Sequence, residues 1–246
     1  MKERIAKIMA RAGLCSRREA EDWIRAGRVT LNGQLLSTPA VTVSSQDHII
    51  VDGNALPVQE KIRVWLYHKP PHLITTHKDP EGRPTVFQNL PETLPRVISV
   101  GRLDVNSEGL LLLTNSGDLA RFLEHPKTHI ARAYRVRIFG NVEERMLKLL
   151  KKGLTIEGIS YASIDASVEQ KQGANQWLIL KLYEGKNREI RRIIQYFGLS
   201  LSRLIRVGYG PFSLGSLPPE GVWEVPAKTL YNDLLTLGYL KKDEKF

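Results

Sequence analysis

The chain has 246 residues, 42% of them hydrophobic, enough for one large domain or a medium domain with a small one beside it. Lys and Arg number 36 against 26 Asp and Glu, a net charge of +10, which fits a polyanionic partner, most often nucleic acid; the plainer alternative is a basic but otherwise ordinary soluble protein. The single cysteine, Cys15, excludes an intrachain disulfide and a cysteine cluster for zinc and fits a reducing compartment, and no apolar run approaches the roughly 20 residues of a membrane helix.

The start, MKERIAKIMARAGLCSRREAEDW, is basic, but it carries Glu3, Glu19, Glu21 and Asp22 and lacks a secretory apolar segment. It reads as folded structure. Ile5, Ile8, Met9 and Ala12 recur at helical spacing, and Gly13 is a natural stop. Ser16 and Glu19 form a capping box for a second helix whose apolar face is Ala20, Trp23 and Ile24 and whose end is Gly27. RVTLNGQLL then folds as a hairpin about Asn32-Gly33. HIIVDG closes a helix-helix-hairpin unit near residue 54. Its first 28 residues hold eight basic side chains: Lys2, Arg4, Lys7, Arg11, Arg17, Arg18, Arg25 and Arg28. NALPVQEK reads as a linker, which sets one unit at residues 1–58 and a larger one at 62–246.

The larger unit opens with a strand, IRVWLYHKP, stopped by Pro70-Pro71. HKDPEGRPTVFQNLP is rich in turn residues and reads as an exposed loop. SVGRLDVNSEGLLLLTNSGDLA places Arg102 and Asp104 in a glycine-bounded turn just before Leu110 to Leu113, a run that reads as a fully buried strand. Asp118 to His125 is a short helix, and RAYRVRIFG a strand with Tyr134, Val136 and Ile138 on one face. VEERMLKLLKKG is an amphipathic helix; TIEGISYASIDASVEQ and QWLILKLYEG are strands. NREIRRIIQYFG is a helix with Ile190, Ile193, Ile194 and Phe197 inward. LSRLIRVGYGPFSLG is a strand running into a glycine turn, and residues 226 to 238 are a last helix. Strands mixed with single helices, without a regular βαβ repeat, give an α+β fold with a mixed, mostly antiparallel sheet.

Most cofactor chemistry finds no support. YEGKNRE has Gly185-Lys186 followed by Asn187, which fails the phosphate-loop pattern, and VGYGPFSLG fails the dinucleotide pattern. His68 and His72 are four apart, but Pro70 and Pro71 between them exclude the helix a zinc pair would use. No metal site and no small-molecule cofactor are expected. What remains is the Arg102/Asp104 turn and the basic cluster YEGKNREIRR. The bland reading of that cluster is a solvated helix face. However, Arg188, Arg191 and Gln195 share one side by helical spacing, so Arg191 lies near the edge of the buried face. An arginine there usually has a carboxylate to meet.

Taken in order, these motifs resemble the ribosomal RNA pseudouridine synthase family, in the branch that carries a small RNA-binding domain at its N-terminus. GRLDVNSEGLLLLTNSGDLA is similar to the signature around that family's essential aspartate, which implies that role for Asp104. ARAYRV resembles its tyrosine motif, which implies that Tyr134 lies against the target base. EGKNREIRR resembles the motif whose arginine pairs with the aspartate, and the register favours Arg191. LSRLIRVGYGPFSL resembles the apolar segment that closes the pocket, with Leu204 the best match. Residues 3 to 54 resemble the S-four-type RNA-binding fold. Two departures stand out, Ser116 where the family often has an acid and Arg132 where it often has lysine, and neither is expected to touch the chemistry.

The resemblance implies an isomerase that breaks the carbon–nitrogen glycosidic bond of a uridine and joins the ribose to a carbon of the same base, with no redox change and no cofactor. The aspartate either attacks the anomeric carbon or removes a ribose proton; both need it ionised. An apolar wall with an arginine partner is how a site keeps a carboxylate both desolvated and charged. Arg102 is expected to fill the gap left by the flipped nucleotide. Arg17, Arg18, Lys186 and Arg188 are the further RNA-binding candidates, Arg17 and Arg18 because helix-start amides would add to their pull on phosphate. The implied partner is ribosomal RNA, leaning to the large subunit because the DPEGRPTVFQNLP loop resembles that branch more, with no membrane. The protein is expected to be a cytoplasmic monomer. Two alternatives stay open: a non-catalytic RNA-binding or ribosome-assembly factor, and a synthase acting on small-subunit RNA. A methyltransferase would need a cofactor loop that is not found.

Overall fold

A computed structural model of the chain describes residues 2–241. The N-terminal unit begins with β1 (Glu3–Arg4), α1 (Ile5–Arg11) and α2 (Arg17–Arg25). Ser16 caps α2 through a full capping box: its hydroxyl accepts from the Glu19 amide, and the Glu19 carboxylate accepts from the Ser16 amide. β2 (Val29–Leu31) and β3 (Gln34–Leu35) form the expected hairpin. Asn32 (φ 51°) and Gly33 (φ 81°) both take the left-handed conformation that a tight two-residue turn requires. β4 (Thr42–Val43) pairs with β1, while β5 (Ile49–Val51) and β6 (Asn54–Ala55) extend the hairpin sheet in the order β3-β2-β5-β6. Asn54 and Ala55 therefore belong to this sheet, and the connector to the larger unit begins only after them. Ile5, Met9, Ala20, Ile24, Val29 and Val51 make the unit's own core. Cys15 lies in it, and burial pushes its thiol up to about 11.

The remaining strands build one large sheet. In chain order the elements are β7 (Val64–Lys69), β8 (Ile98–Ser99), β9 (Glu108–Thr114), α3 (Gly117–Glu124), β10 (Arg132–Phe139), α4 (Glu144–Lys152), β11 (Leu154–Ile156), β12 (Ile159–Tyr161), β13 (Asp165–Gln172), β14 (Asn175–Leu182), α5 (Glu189–Tyr196), β15 (Ser200–Tyr209), β16 (Phe212–Ser213), β17 (Val222–Glu224) and α6 (Ala227–Thr236). The sheet runs β13-β14-β10-β15-β9-β7-β17, with β16 beside β15 and β8 beside β9; β11 and β12 pair separately. Among its pairings only β15 with β9 is parallel. The class is α+β with a mixed, mostly antiparallel sheet, as the pattern of elements predicts.

The leucine run explains itself on β9. Leu110 and Leu112 face a core with Leu119, Leu123, Tyr209 and Leu230. Leu111 and Leu113 face a second core with Trp65, Tyr67, Val86 and Leu103. A central strand covered on both faces has no polar positions to alternate with. A third core lies under α4 and α5, where Val136, Ile138, Leu150, Leu180, Ile190 and Leu204 meet. At the parallel pairing, Gly109 (φ 98°) faces the backbone of Arg206 so closely that a Cβ would fall 2.3 Å from its carbonyl oxygen. Only glycine lets β9 start there, directly after the turn that carries Asp104.

The two units touch. Lys7 and Arg11 pair with Asp118 at the start of α3 (2.9 and 3.6 Å), and Glu19 pairs with Lys78 and Arg96 (both 3.3 Å).

Candidate active site

The turn between β8 and β9 is fixed from several sides. Gly101 takes a left-handed conformation (φ 68°). The Leu103 carbonyl accepts from the Thr75 hydroxyl (3.0 Å), and the Ser107 amide donates to the Asp104 carbonyl (3.0 Å), closing a tight turn over Val105 and Asn106. Behind it lies Lys69, at the end of β7 and fully buried. Its ammonium donates to the carbonyls of Pro70 and Ser107 (2.9 Å each) and Val105 (3.4 Å). Burial brings its pKa down to about 8, against the raising pull of the Asp104 and Glu108 carboxylates.

The Asp104 side chain, about a third exposed at 35%, projects into a cleft of about 1220 Å3. Arg191, in the first turn of α5, stands beside it. Its Nη2 donates to the Asn106 carbonyl (2.9 Å) and the Ser107 hydroxyl (3.3 Å), while its Nε lies 3.6 Å from Asp104 Oδ2. That separation is an ion pair without a hydrogen bond. Arg191 thus grips the turn's backbone and leaves the carboxylate free to meet something else. Tyr134, on β10, lines the same cleft half-buried, opposite Arg206 on β15, and packs between two of the cores. Leu204, opposite Val136 and 5% exposed, lines it too.

The basic candidates separate into two groups. Arg102 and Arg188 are exposed on the cleft, and so is Arg18; Arg17 is exposed but lies outside its lining. Arg188 is not part of α5 as the helical spacing predicts. It precedes the helix in a left-handed conformation (φ 51°), while the Glu189 carboxylate turns back to accept from the Lys186 amide (3.0 Å). At the α2 start the capping box takes two amides, that of Ser16 by the Glu19 carboxylate and that of Glu19 by the Ser16 hydroxyl. Lys186 is held by Glu184 (2.5 Å) and the Ser160 carbonyl (2.6 Å), so its charge is already matched.

Sequence reasoning missed five cleft-side groups. Lys69 reads there only as the polar end of a strand. Arg132 is set apart from the chemistry, yet it lines the cleft, as do Arg206 and Tyr209. Glu189 is buried, and burial together with the Glu184 carboxylate raises its pKa to about 7. No local spacing marks any of these; strand register brings Lys69, Arg132, Arg206 and Tyr209 together, and Glu189 comes from the start of α5. Among the described residues, no group of three or more His, Cys, Asp or Glu side chains is placed to hold a metal ion, and no helix is long and apolar enough to cross a membrane.

One carboxylate on a rigid turn, facing a large arginine-walled cleft, fits an enzyme that acts on an anionic polymer. Comparison with known proteins narrows this class. Residues 63–196 match the family model described as RNA pseudouridylate synthase, and residues 3–49 match the S4 domain. The uncharacterized RNA pseudouridine synthase of Rickettsia felis is 48% identical over 228 residues, covering 93% of this chain and 99% of that one. Ribosomal large subunit pseudouridine synthase B of Yersinia pestis is 43% identical over 229 residues, 91% of this chain and 72% of that one. A crystal structure of a pseudouridylate synthase superposes with a TM-score of 0.65 at 25% identity, over 94% of this chain and 99% of that one. The chain belongs to the RNA pseudouridylate synthase family and carries an S4 domain; it is an RNA-binding isomerase.

Proposed function

We propose that this chain isomerises a specific uridine of large-subunit ribosomal RNA to pseudouridine, with Asp104 as the catalytic carboxylate. The observation that carries the reading is the Asp104 carboxylate standing beside Arg191 in a cleft shared with Tyr134. The large-subunit target is supported by relatives named ribosomal large subunit pseudouridine synthase B at 42–44% identity. In this reading the uridine leaves its stack and enters the cleft, Tyr134 lies against the base, and Leu204 closes the apolar side. Asp104 acts on the ribose, either at the anomeric carbon or by removing a proton. The glycosidic bond breaks, the base turns, and its carbon takes the ribose bond while losing its hydrogen as a proton. Arg191 keeps the turn and the charge in place throughout. Arg102 fills the space the base leaves, and Arg18, Arg17 and Arg188 meet phosphates outside it.

We place the unit boundary between residues 58 and 62, with the S4 unit before it and the catalytic unit after. In this reading the chain works as a cytoplasmic monomer. Two measurements test the reading. Uridine tritiated at the base carbon that becomes bonded to ribose should release its label with no added cofactor. Mapping pseudouridines in ribosomal RNA from cells with and without this protein should show one large-subunit position lost. A loss in the small subunit would correct the target, and no loss and no tritium release would leave an RNA-binding factor.

A further inference from the structure

Arg132 and Arg206 are two buried arginines in the cleft without an acid. Arg132 is 8% exposed and Arg206 2%. Arg132 donates to the Ile130 carbonyl (3.3 Å) and the Tyr209 hydroxyl (3.0 Å), and Arg206 to the Leu110 carbonyl (2.7 Å). Neither makes an ion pair among the described residues, and Arg206 Nη2 is buried with no hydrogen-bond partner. Both guanidinium groups stand over the same ring, Tyr209, at 4.9 and 5.1 Å, and that ring's hydroxyl is itself fixed on the Leu123 carbonyl (2.9 Å). The nearby Glu124 carboxylate is taken by the Gly101 amide (2.8 Å). Burying one unpaired cation is costly, and burying a second against the same ring adds to that cost. A fold bears such a pair where an anion will join it.

Register fixes where that anion would sit. Arg206 is directly opposite Tyr134 across the β10–β15 pairing, and Arg132 is two residues from Tyr134 on the same strand. The register shift at Ala133/Tyr134 falls on β15, where Val207 is the extra residue, while β10 stays in register with β14, so Arg132, Tyr134 and Arg206 share one face of the sheet, with Arg132 roughly 7 Å along the strand from Tyr134. We propose that Arg132 and Arg206, braced on Tyr209, form a buried subsite for one RNA backbone phosphate next to the target base. This rests on reading the cleft as the uridine site and adds a contact to it. The exposed arginines meet phosphates through water and salt, whereas this pair would hold one phosphodiester by direct, desolvated hydrogen bonds and so set the depth to which the nucleotide enters.

The test uses a synthetic RNA stem-loop copied from the ribosomal segment around the mapped uridine. Each phosphate near the uridine is replaced in turn by an uncharged methylphosphonate. In the wild-type enzyme one position should lower kcat/KM by about tenfold to a hundredfold, the range of a charge-assisted hydrogen bond. Arg132→Gln should lower activity on the unmodified RNA to a similar degree, and the same methylphosphonate should then cost less than about threefold, because the interaction is already gone. Arg132→Lys, which keeps the charge but not the fork, should lose less. Thermal unfolding shows whether each variant is folded; if Arg132→Gln is not, the wild-type scan and Arg132→Lys decide. Additive effects, or a scan in which no position stands out, overturn the subsite. Turnover of unmodified RNA by the wild type tests the enzyme reading separately. The same coupling measured as binding affinity in the Asp104→Asn background needs no turnover at all.

Discussion

The cleft has a floor and a rim, and their charges are built differently. On the floor, Lys69 and Arg191 send donors to the backbone carbonyls and hydroxyl of residues 105 to 107, and both are buried or nearly so. On the rim, Arg18, Arg102 and Arg188 are exposed, and their side chains make no hydrogen bond or ion pair among the described residues. Floor charges are oriented before any substrate arrives, at a desolvation cost met during folding. Rim charges remain in water until RNA displaces their counterions. Removing a floor charge should therefore change the chemical step, and removing a rim charge should change affinity and its dependence on salt.

The strongest way to break this contrast is Asp104→Asn. Asparagine is nearly isosteric but is neither nucleophile nor base, so turnover should fall by at least about 10³-fold, as when an enzyme loses its reacting group. RNA binding should change little. Tritium release within tenfold of wild type, in protein free of host synthases, would remove Asp104 from the mechanism.

Next in size is the paired comparison of Arg191→Leu with Arg188→Leu. The first removes the ion pair to Asp104 and two bonds to the turn, and should lower kcat about a hundredfold. The second removes only an exposed charge, and should raise KM a few-fold with kcat nearly unchanged. Steady-state kinetics on one RNA separates them. The reverse pattern would mean that the floor's arginine has been misassigned.

Legibility in the sequence divides along the same line. The buried leucine strand, the capping box, the Asn32-Gly33 hairpin and the α+β class are written in local patterns, because period and turn chemistry act over a few residues. Asp104, Tyr134 and Arg191 emerge as an ordered set of motifs. Lys69, Arg132 and Arg206 do not, since each sits in a strand and meets the cleft only through pairing partners dozens of residues away. Arg188 misleads for the opposite reason: helical spacing is counted through a residue whose backbone is left-handed and outside the helix.

A smaller effect tests how the loop between floor and rim is held. Glu189 is buried beside Glu184, and its pKa is raised from 4.5 to about 7. Below pH 4.5 the folded and unfolded chains both carry the proton. As the pH rises, the unfolded chain releases it first, so the folded state loses stability across the window from about 4.5 to 7. Glu189→Gln cannot ionise, keeps an acceptor for the Lys186 amide and offers a donor to Glu184. Its melting temperature relative to wild type should therefore rise from pH 4 to pH 8. A difference that stays flat with pH would show that Glu189 is ionised in the folded protein.

The finest measurement asks how much of the rim the N-terminal unit supplies. Of the eight basic residues before residue 29, Lys7, Arg11, Arg25 and Arg28 are already ion-paired, to Glu3, Asp118, Glu21, Asp22 or Asp52. Arg17 and Arg18 have no such partner among the described residues, and only Arg18 reaches the cleft lining. Each phosphate contact contributes roughly 0.7 to 0.9 to the slope of log affinity against log salt. Arg18→Ala should therefore reduce that slope by about 0.7 to 0.9, Arg17→Ala by less, and neither should alter kcat at saturating RNA. The measurement is RNA affinity at several salt concentrations for each variant. A change in kcat would move Arg18 from rim to floor, tying the S4 unit to the chemical step. An unchanged slope would mean that its charge stays solvated in the complex, and the RNA-binding role of α2 would pass to other residues of that unit.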